Sequence, residues 1–222
     1  MFDVDAVVFD FDGTLVEPSI DFEEMRQAVL RVIDTFGLDS MPFVPLHTLE
    51  AISLVKRRLA ADGPDRVNAF DRAAAQAVID IEVAAARRTR PYEGAPEMLT
   101  ILSARGYGVA IVTRNCRAAV KTVLADHPLC FDVLLTRDDV TRVKPDPEHL
   151  LAALRPLGVA GERALMCGDH AMDITAGKRI GAKAVGVIPP GAGPDRFADV
   201  APDLILERVS DLVHYVNGRR QA

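Results

Sequence analysis

The chain is short of basic charge, of cysteine and of long apolar runs, and each shortage removes a class of function. Lys and Arg number 26 against 32 Asp and Glu, for a net charge of -6. No bulk basic field is available to hold a nucleic-acid backbone. The local clusters Lys56-Arg57-Arg58 and Arg87-Arg88-Thr89-Arg90 fall in helical patterns and read as solvated faces. The three cysteines, Cys116, Cys130 and Cys167, are odd in number and lack Cys-x-x-Cys spacing, which argues against a disulfide framework or a zinc knuckle. Each is read as a small buried residue. The five histidines show no His-x-x-x-His spacing and so give no support for a transition-metal site. No apolar run reaches the length needed to cross a bilayer, and the acidic start Met1-Phe2-Asp3-Val4-Asp5 lacks the basic beginning of a signal peptide. These absences point to a reduced, cytoplasmic protein with neither nucleic acid nor membrane as partner.

What is present begins with Ala6-Val7-Val8-Phe9-Asp10-Phe11-Asp12-Gly13-Thr14-Leu15-Val16, an apolar run ending in two acids one residue apart. The run suits a strand buried on both faces, after which Gly13 lets the backbone turn. The acids then stand at the strand's carboxyl end, where open parallel α/β sheets bind ligands. Two such carboxylates need a metal, protons or hydrogen bonds to tolerate each other. Taken alone, Asp-Gly reads first as a turn with an Asp cap, as isolated Asp-Gly pairs usually are.

Beyond this stretch the pattern is helical. Asp21, with Glu24 at capping-box spacing, opens a helix carrying Phe22, Met25, Val29, Val32 or Ile33, and Phe36. Thr48 caps a second with Leu49, Ile52, Val55 and Leu59, and a third runs from about 65 to 88 with Val67, Phe70, Ala74, Val78 and Ile81. From Pro91 the chain alternates short helices with apolar strands near 109–112, 132–136, 164–167, 184–188 and 204–206, before a closing helix from Ser210. This is how a doubly wound parallel sheet reads. The expected architecture is an α/β core of residues 1–16 and 91–222, interrupted by an all-helical insert at 17–90 placed to act as a lid.

Polar groups recur at the later strand ends. Thr113-Arg114-Asn115 follows one strand and reads either as a helix cap or as an anion-binding turn. Lys144-Pro145-Asp146-Pro147 is a rigid turn whose Lys is ordinarily surface, but held near a phosphate would cancel repulsion. Gly168-Asp169-His170-Ala171-Met172-Asp173 sets two acids four positions apart after a strand, a spacing that the helix dipole also favours.

In that order, Asp-x-Asp, Thr, Lys-Pro and Gly-Asp-x-x-x-Asp resemble the four motifs of the haloacid dehalogenase-like superfamily of phosphohydrolases, in particular its phosphoglycolate phosphatase-like members with a helical cap. The resemblance runs from about residue 6 to 206 and includes Glu93-Gly94-Ala95-Pro96-Glu97-Met98-Leu99 as the return from the cap. It implies a Rossmann-like core with an inserted cap domain, and a phosphatase acting on a small phosphate ester with Mg²⁺ as cofactor, as a monomer or homodimer. By resemblance Asp10 is the nucleophile that becomes an aspartyl phosphate, and Asp12 protonates the leaving oxygen and then activates water. Asp10, the backbone carbonyl of Asp12, and Asp169 are implied Mg²⁺ ligands, with Asp173 a further ligand or an outer partner. Thr113, Arg114, Asn115 and Lys144 are implied phosphate contacts. Arg114 departs from the commoner arrangement, in which Asn follows the hydroxyl residue directly, and is expected to pair with an acid. His170 is expected to be a neutral loop residue. Arg26, in the cap, is either a substrate contact or an exposed helix residue. Asp12 argues against a dehalogenase. A phosphomutase of the same fold, a receiver-like protein and a silent phosphate-binding protein are the alternatives.

Overall fold

The computed structural model describes residues 1–217, so the 218–222 end of the expected core lies outside the described residues. The chain divides into two compact units, one of Met1–Pro18 with Thr89–Ala222 and one of Ser19–Arg88.

The first unit starts with β1 (Ala6–Phe9), in which every residue is buried. A strand covered on both faces can be apolar throughout, which is why this run does not alternate. Leaving β1, the chain enters the helical unit: α1 (Phe22–Thr35), α2 (Thr48–Leu59) and α3 (Pro64–Ala86). Its core is one cluster in which Met25, Val29 and Ile33 of α1, Val55 and Leu59 of α2, and Phe70, Ala74 and Val78 of α3 pack with Phe43. Phe36 meets Phe70 edge to face, with ring centroids 5.4 Å apart. These are the helical stripes read from spacing, with two corrections. Phe22 is 60% exposed, because it stands in the first turn, ahead of the packed layer. Thr48 lies inside α2, and His47 holds the cap position without a side-chain bond. Asp21 does cap α1, its Oδ1 accepting from the backbone of Glu23 at 3.0 Å and Glu24 at 2.9 Å.

Back in the first unit come α4 (Ala95–Ala104), β2 (Gly108–Val112), α5 (Arg117–Asp126), β3 (Val133–Leu135), α6 (Glu148–Leu157), β4 (Ala164–Gly168), α7 (Ala171–Arg179), β5 (Lys183–Val187) and β6 (Leu204–Leu206). The six strands form one sheet in the order β3-β2-β1-β4-β5-β6, and every pair is parallel. The chain winds away from β1 in both directions, through β2 to β3 and through β4 to β6. The crevice at the carboxyl ends of β1, β2 and β4 is therefore the topological switch point. Phe9 is level with Ile111 of β2 and Cys167 of β4, so Asp10, Thr113 and Asp169 leave the sheet at neighbouring points. The expected closing helix is instead a short 3-10 segment, Val209–His214, held by i to i+3 bonds such as Tyr215 N to Leu212 O at 2.9 Å. Cys116 and Cys167 are buried, whereas Cys130, expected to be buried, is exposed; it precedes β3 in an irregular stretch.

Candidate active site

The turn and the acid pair, alternatives in the sequence, coexist. Asp10 N extends the ladder by donating to Cys167 O at 2.9 Å, and the chain then folds back as Leu15 N and Val16 N donate to Phe11 O at 2.9 and 3.1 Å. Gly13 takes φ 87°, a region that favours glycine. A Cβ there would stand 2.6 Å from Asp169 Oδ2. The tight turn is thus what lets Asp169, from the neighbouring strand end, approach the first motif. Thr14 is fully buried beside it, its hydroxyl 3.4 Å from Asp169 Oδ1.

Asp10, Asp169 and Asp173 each place a carboxylate oxygen within 4.8 Å of the others. The turn carrying Lys144 looked exposed in sequence, yet Lys144 is 2% exposed. Its Nζ lies 2.6 Å from Asp10 Oδ1 and 2.7 Å from Asp173 Oδ1. Asp173 Oδ2 in turn accepts from His170 N at 3.0 Å, closing the entry to α7. Lys144, even with Arg196 at Asp169, leaves the three acids short of positive charge. Burial, opposed by Lys144 but reinforced by Asp173 and Asp169, pushes the Asp10 carboxyl up to about 8. Burial and Asp173, opposed by Arg196 and Lys144, push Asp169 up to about 6. Lys144 is itself raised, because its two acid partners outweigh its desolvation. A buried carboxylate set short of positive charge is the donor chemistry that a hard divalent cation takes, so these residues fit such an ion.

The second motif converges on Asp12. Thr113 Oγ1 donates to Asp12 Oδ2 at 3.3 Å, and Asn115 Nδ2 lies 3.2 and 3.1 Å from the two Asp12 oxygens. Asn115 is itself held, its Oδ1 accepting from Cys116 N at 2.8 Å and its own N–H donating to Thr113 Oγ1 at 3.0 Å. Contact between these two side chains and a phosphoryl group requires exchanging bonds now made to Asp12. Arg114 does not pair with an acid among the described residues. Its Nη1 lies 3.2 Å from Sδ of Met172, a residue of α7, and its Nε is buried without a hydrogen-bond partner, so the guanidinium faces α7 instead of an acid. His170 caps α7, with Nδ1 accepting from Met172 N at 3.2 Å. Within the helical unit, Arg26 reaches Val44 O at 3.4 Å and Glu23 at 3.3 Å.

Three further side chains back the site, and of these Thr14 alone stands inside a sequence motif, the first. His149 is buried and accepts at Nδ1 from Lys144 N at 3.4 Å; burial, with Lys144, holds it down at about 4. Arg196 reaches Asp169 Oδ2 at 3.1 Å from a segment whose sequence gives no local sign of it.

A parallel sheet with an acid cluster at its switch point, served by a buried lysine, defines a class. A model of the haloacid dehalogenase-like hydrolases matches residues 4–181, and the chain belongs to that family and is a phosphohydrolase. Among curated proteins it is similar to the pyrophosphatase PpaX of Bacillus velezensis, 31% identical with 95% of each chain covered. It is also similar to the PpaX of Halalkalibacterium halodurans, 32% identical with 96% and 97% covered. Among solved structures, a HAD phosphatase from Thermococcus onnurineus superposes with a TM-score of 0.65 at 25% identity, covering 97% of this chain and 99% of that one.

Proposed function

We propose that the protein is a Mg²⁺-dependent phosphatase that hydrolyses a small phosphate ester through a phosphoryl group carried on Asp10. The observation that supports this most is the Lys144 Nζ bridge between Asp10 and Asp173, which holds a buried carboxylate at the end of the central strand. In this reading Asp10 attacks phosphorus as the ester P–O bond breaks, and Asp12 gives its proton to the departing oxygen. Asp12 then takes a proton from water, which attacks the phosphorylated Asp10 and returns phosphate and the free carboxylate. Lys144 fixes the nucleophile and supplies positive charge as charge develops on the phosphoryl oxygens. Mg²⁺ held by Asp10, Asp169, Asp173 and the backbone carbonyl of Asp12 would offset repulsion between Asp10 and an anionic substrate. Thr113 and Asn115 orient Asp12 and exchange toward the phosphoryl group when substrate enters, while Arg114 offers its underused donors to the substrate's anion. The Ser19–Arg88 unit, inserted in sequence directly after the acid pair, is read as a lid.

Pyrophosphate is the second substrate reading, favoured by the PpaX relatives at 31–32% identity over nearly the full chain. Phosphate release would be measured from phosphoglycolate, sugar phosphates, nucleotides and pyrophosphate, each with Mg²⁺ and with chelator. Mg²⁺-dependent release from one monoester well above the others supports the first reading, and selective release from pyrophosphate the second. No release from any of them with saturating Mg²⁺ refutes both.

A further inference from the structure

We infer that Arg196 is a displaceable internal counter-ion, occupying one oxygen of Asp169, a carboxylate of the proposed cation site, and thereby setting how tightly the cation binds. The inference rests on the cation site proposed above. Lys144 contacts Asp10 and Asp173, and among the described residues Arg196 is the cationic side chain at ion-pair distance from Asp169. Both oxygens of Asp169 are engaged, Oδ1 by the Thr14 hydroxyl at 3.4 Å and Oδ2 by Arg196 Nη2 at 3.1 Å. The pair touches through one nitrogen, without the two-point fork that makes an arginine–carboxylate contact hard to exchange. A cation that takes Asp169 through Oδ2 must share that oxygen with the guanidinium or displace it. Two positive charges within a few ångströms of one oxygen repel, so the guanidinium weakens cation binding for as long as it stays on Oδ2.

The segment that carries Arg196 is built for a side-chain exchange. Arg196 sits in a 3-10 turn, Pro194–Phe197, whose last residue is 2% exposed and packs with Ile174 and Ala184. Gly186 of β5 leaves the room for that ring, since a Cβ there would stand 2.7 Å from it. The neighbour is anchored, while the Arg196 side chain keeps 26% of its surface in water. Leaving Asp169 therefore takes rotamer changes of one partly exposed side chain, whose guanidinium otherwise stands 5.9 Å from the centroid of the Phe197 ring.

The test is calorimetric titration of the whole protein with MgCl₂, for wild type, Arg196→Ala and Arg196→Lys, with melting curves of the metal-free proteins. Arg196→Ala should bind Mg²⁺ about 10-fold more tightly, a gain of about 1.4 kcal/mol, and Arg196→Lys should stay near wild type because the charge is kept. Metal-free Arg196→Ala should melt below wild type, having lost the counter-charge, and the gap should close at saturating Mg²⁺. Equal or weaker Mg²⁺ binding by Arg196→Ala, in a wild type that does bind, overturns the inference and leaves the cation site standing. Absence of saturable binding in every protein overturns the cation site and this inference together.

Discussion

At the scale of single residues, Asp10 and Asp12 are held by different means, and variants that disturb them should fail differently. Asp10 is buried against Lys144, and Asn is nearly isosteric with it. Asp10→Asn should reduce phosphate release by about 10³-fold or more while the circular dichroism spectrum stays that of the wild type. Wild-type turnover in that variant would remove Asp10 from the mechanism. Asn115 contacts both oxygens of Asp12. If its main task is orienting the acid, Asn115→Ala should lower kcat by about 10- to 100-fold and distort the pH–rate profile with little change in KM. A rise in KM at constant kcat would instead make Asn115 a phosphate contact.

At the scale of elements, two turns hold the chemistry in place. The first-motif turn depends on Gly13, whose φ of 87° and 2.6 Å clearance to Asp169 leave no room for a side chain. Gly13→Ala should cost about 2 kcal/mol, or a Tm lower by roughly 4–8 °C, and should push Asp169 away from Asp10, so that activity falls further than stability. The Lys144 turn is backed by His149 from α6, whose Nδ1 accepts from the Lys144 backbone. Burial, then the nearby Lys144 charge, lower this histidine from 6.5 to about 4. Because the folded pKa lies below the unfolded one, the unfolded chain takes up the proton first. The stability that neutral His149 contributes is complete above about pH 6.5 and is lost as the pH falls toward 4, with a limit on the order of 3 kcal/mol. Urea unfolding at pH 7.5, 6 and 5 should show this loss in wild type and a flatter profile in His149→Gln, which keeps an acceptor but does not titrate.

For the whole molecule, the geometry of the insertion matters. Val16 bridges to Pro91, and Glu17 N donates to Arg90 O at 2.8 Å, so the chain leaves and re-enters the α/β unit at one neck. Each unit has its own apolar cluster. Replacing 19–88 with a short Gly/Ser linker should leave a folded α/β unit with a cooperative melt. On the proposal that the insert is a lid, its kcat/KM for small phosphate esters should fall by about 10²-fold or more. An excised protein with unchanged kcat/KM would end the lid reading.

The sequence by itself determined the covalent order of the chemistry and the elements that carry it. Apolar strands ending in Asp10, Thr113 and Asp169 could be read because burial on both faces forbids alternation, and helices could be read because side chains recur every 3.6 residues. Those are local periodicities, and they survive in one dimension. Only the tertiary structure decided what each polar group touches. Lys144 reads as a surface residue in its proline-rich turn and is buried between two acids. Thr113 and Asn115 read as a helix cap or anion turn and hold Asp12, and Arg114 meets no acid among the described residues. Arg196 meets Asp169 across 27 positions of chain, and no spacing rule joins them. Ion pairs and hydrogen bonds depend on distance in space, which the sheet order sets by bringing β1, β2 and β4 side by side.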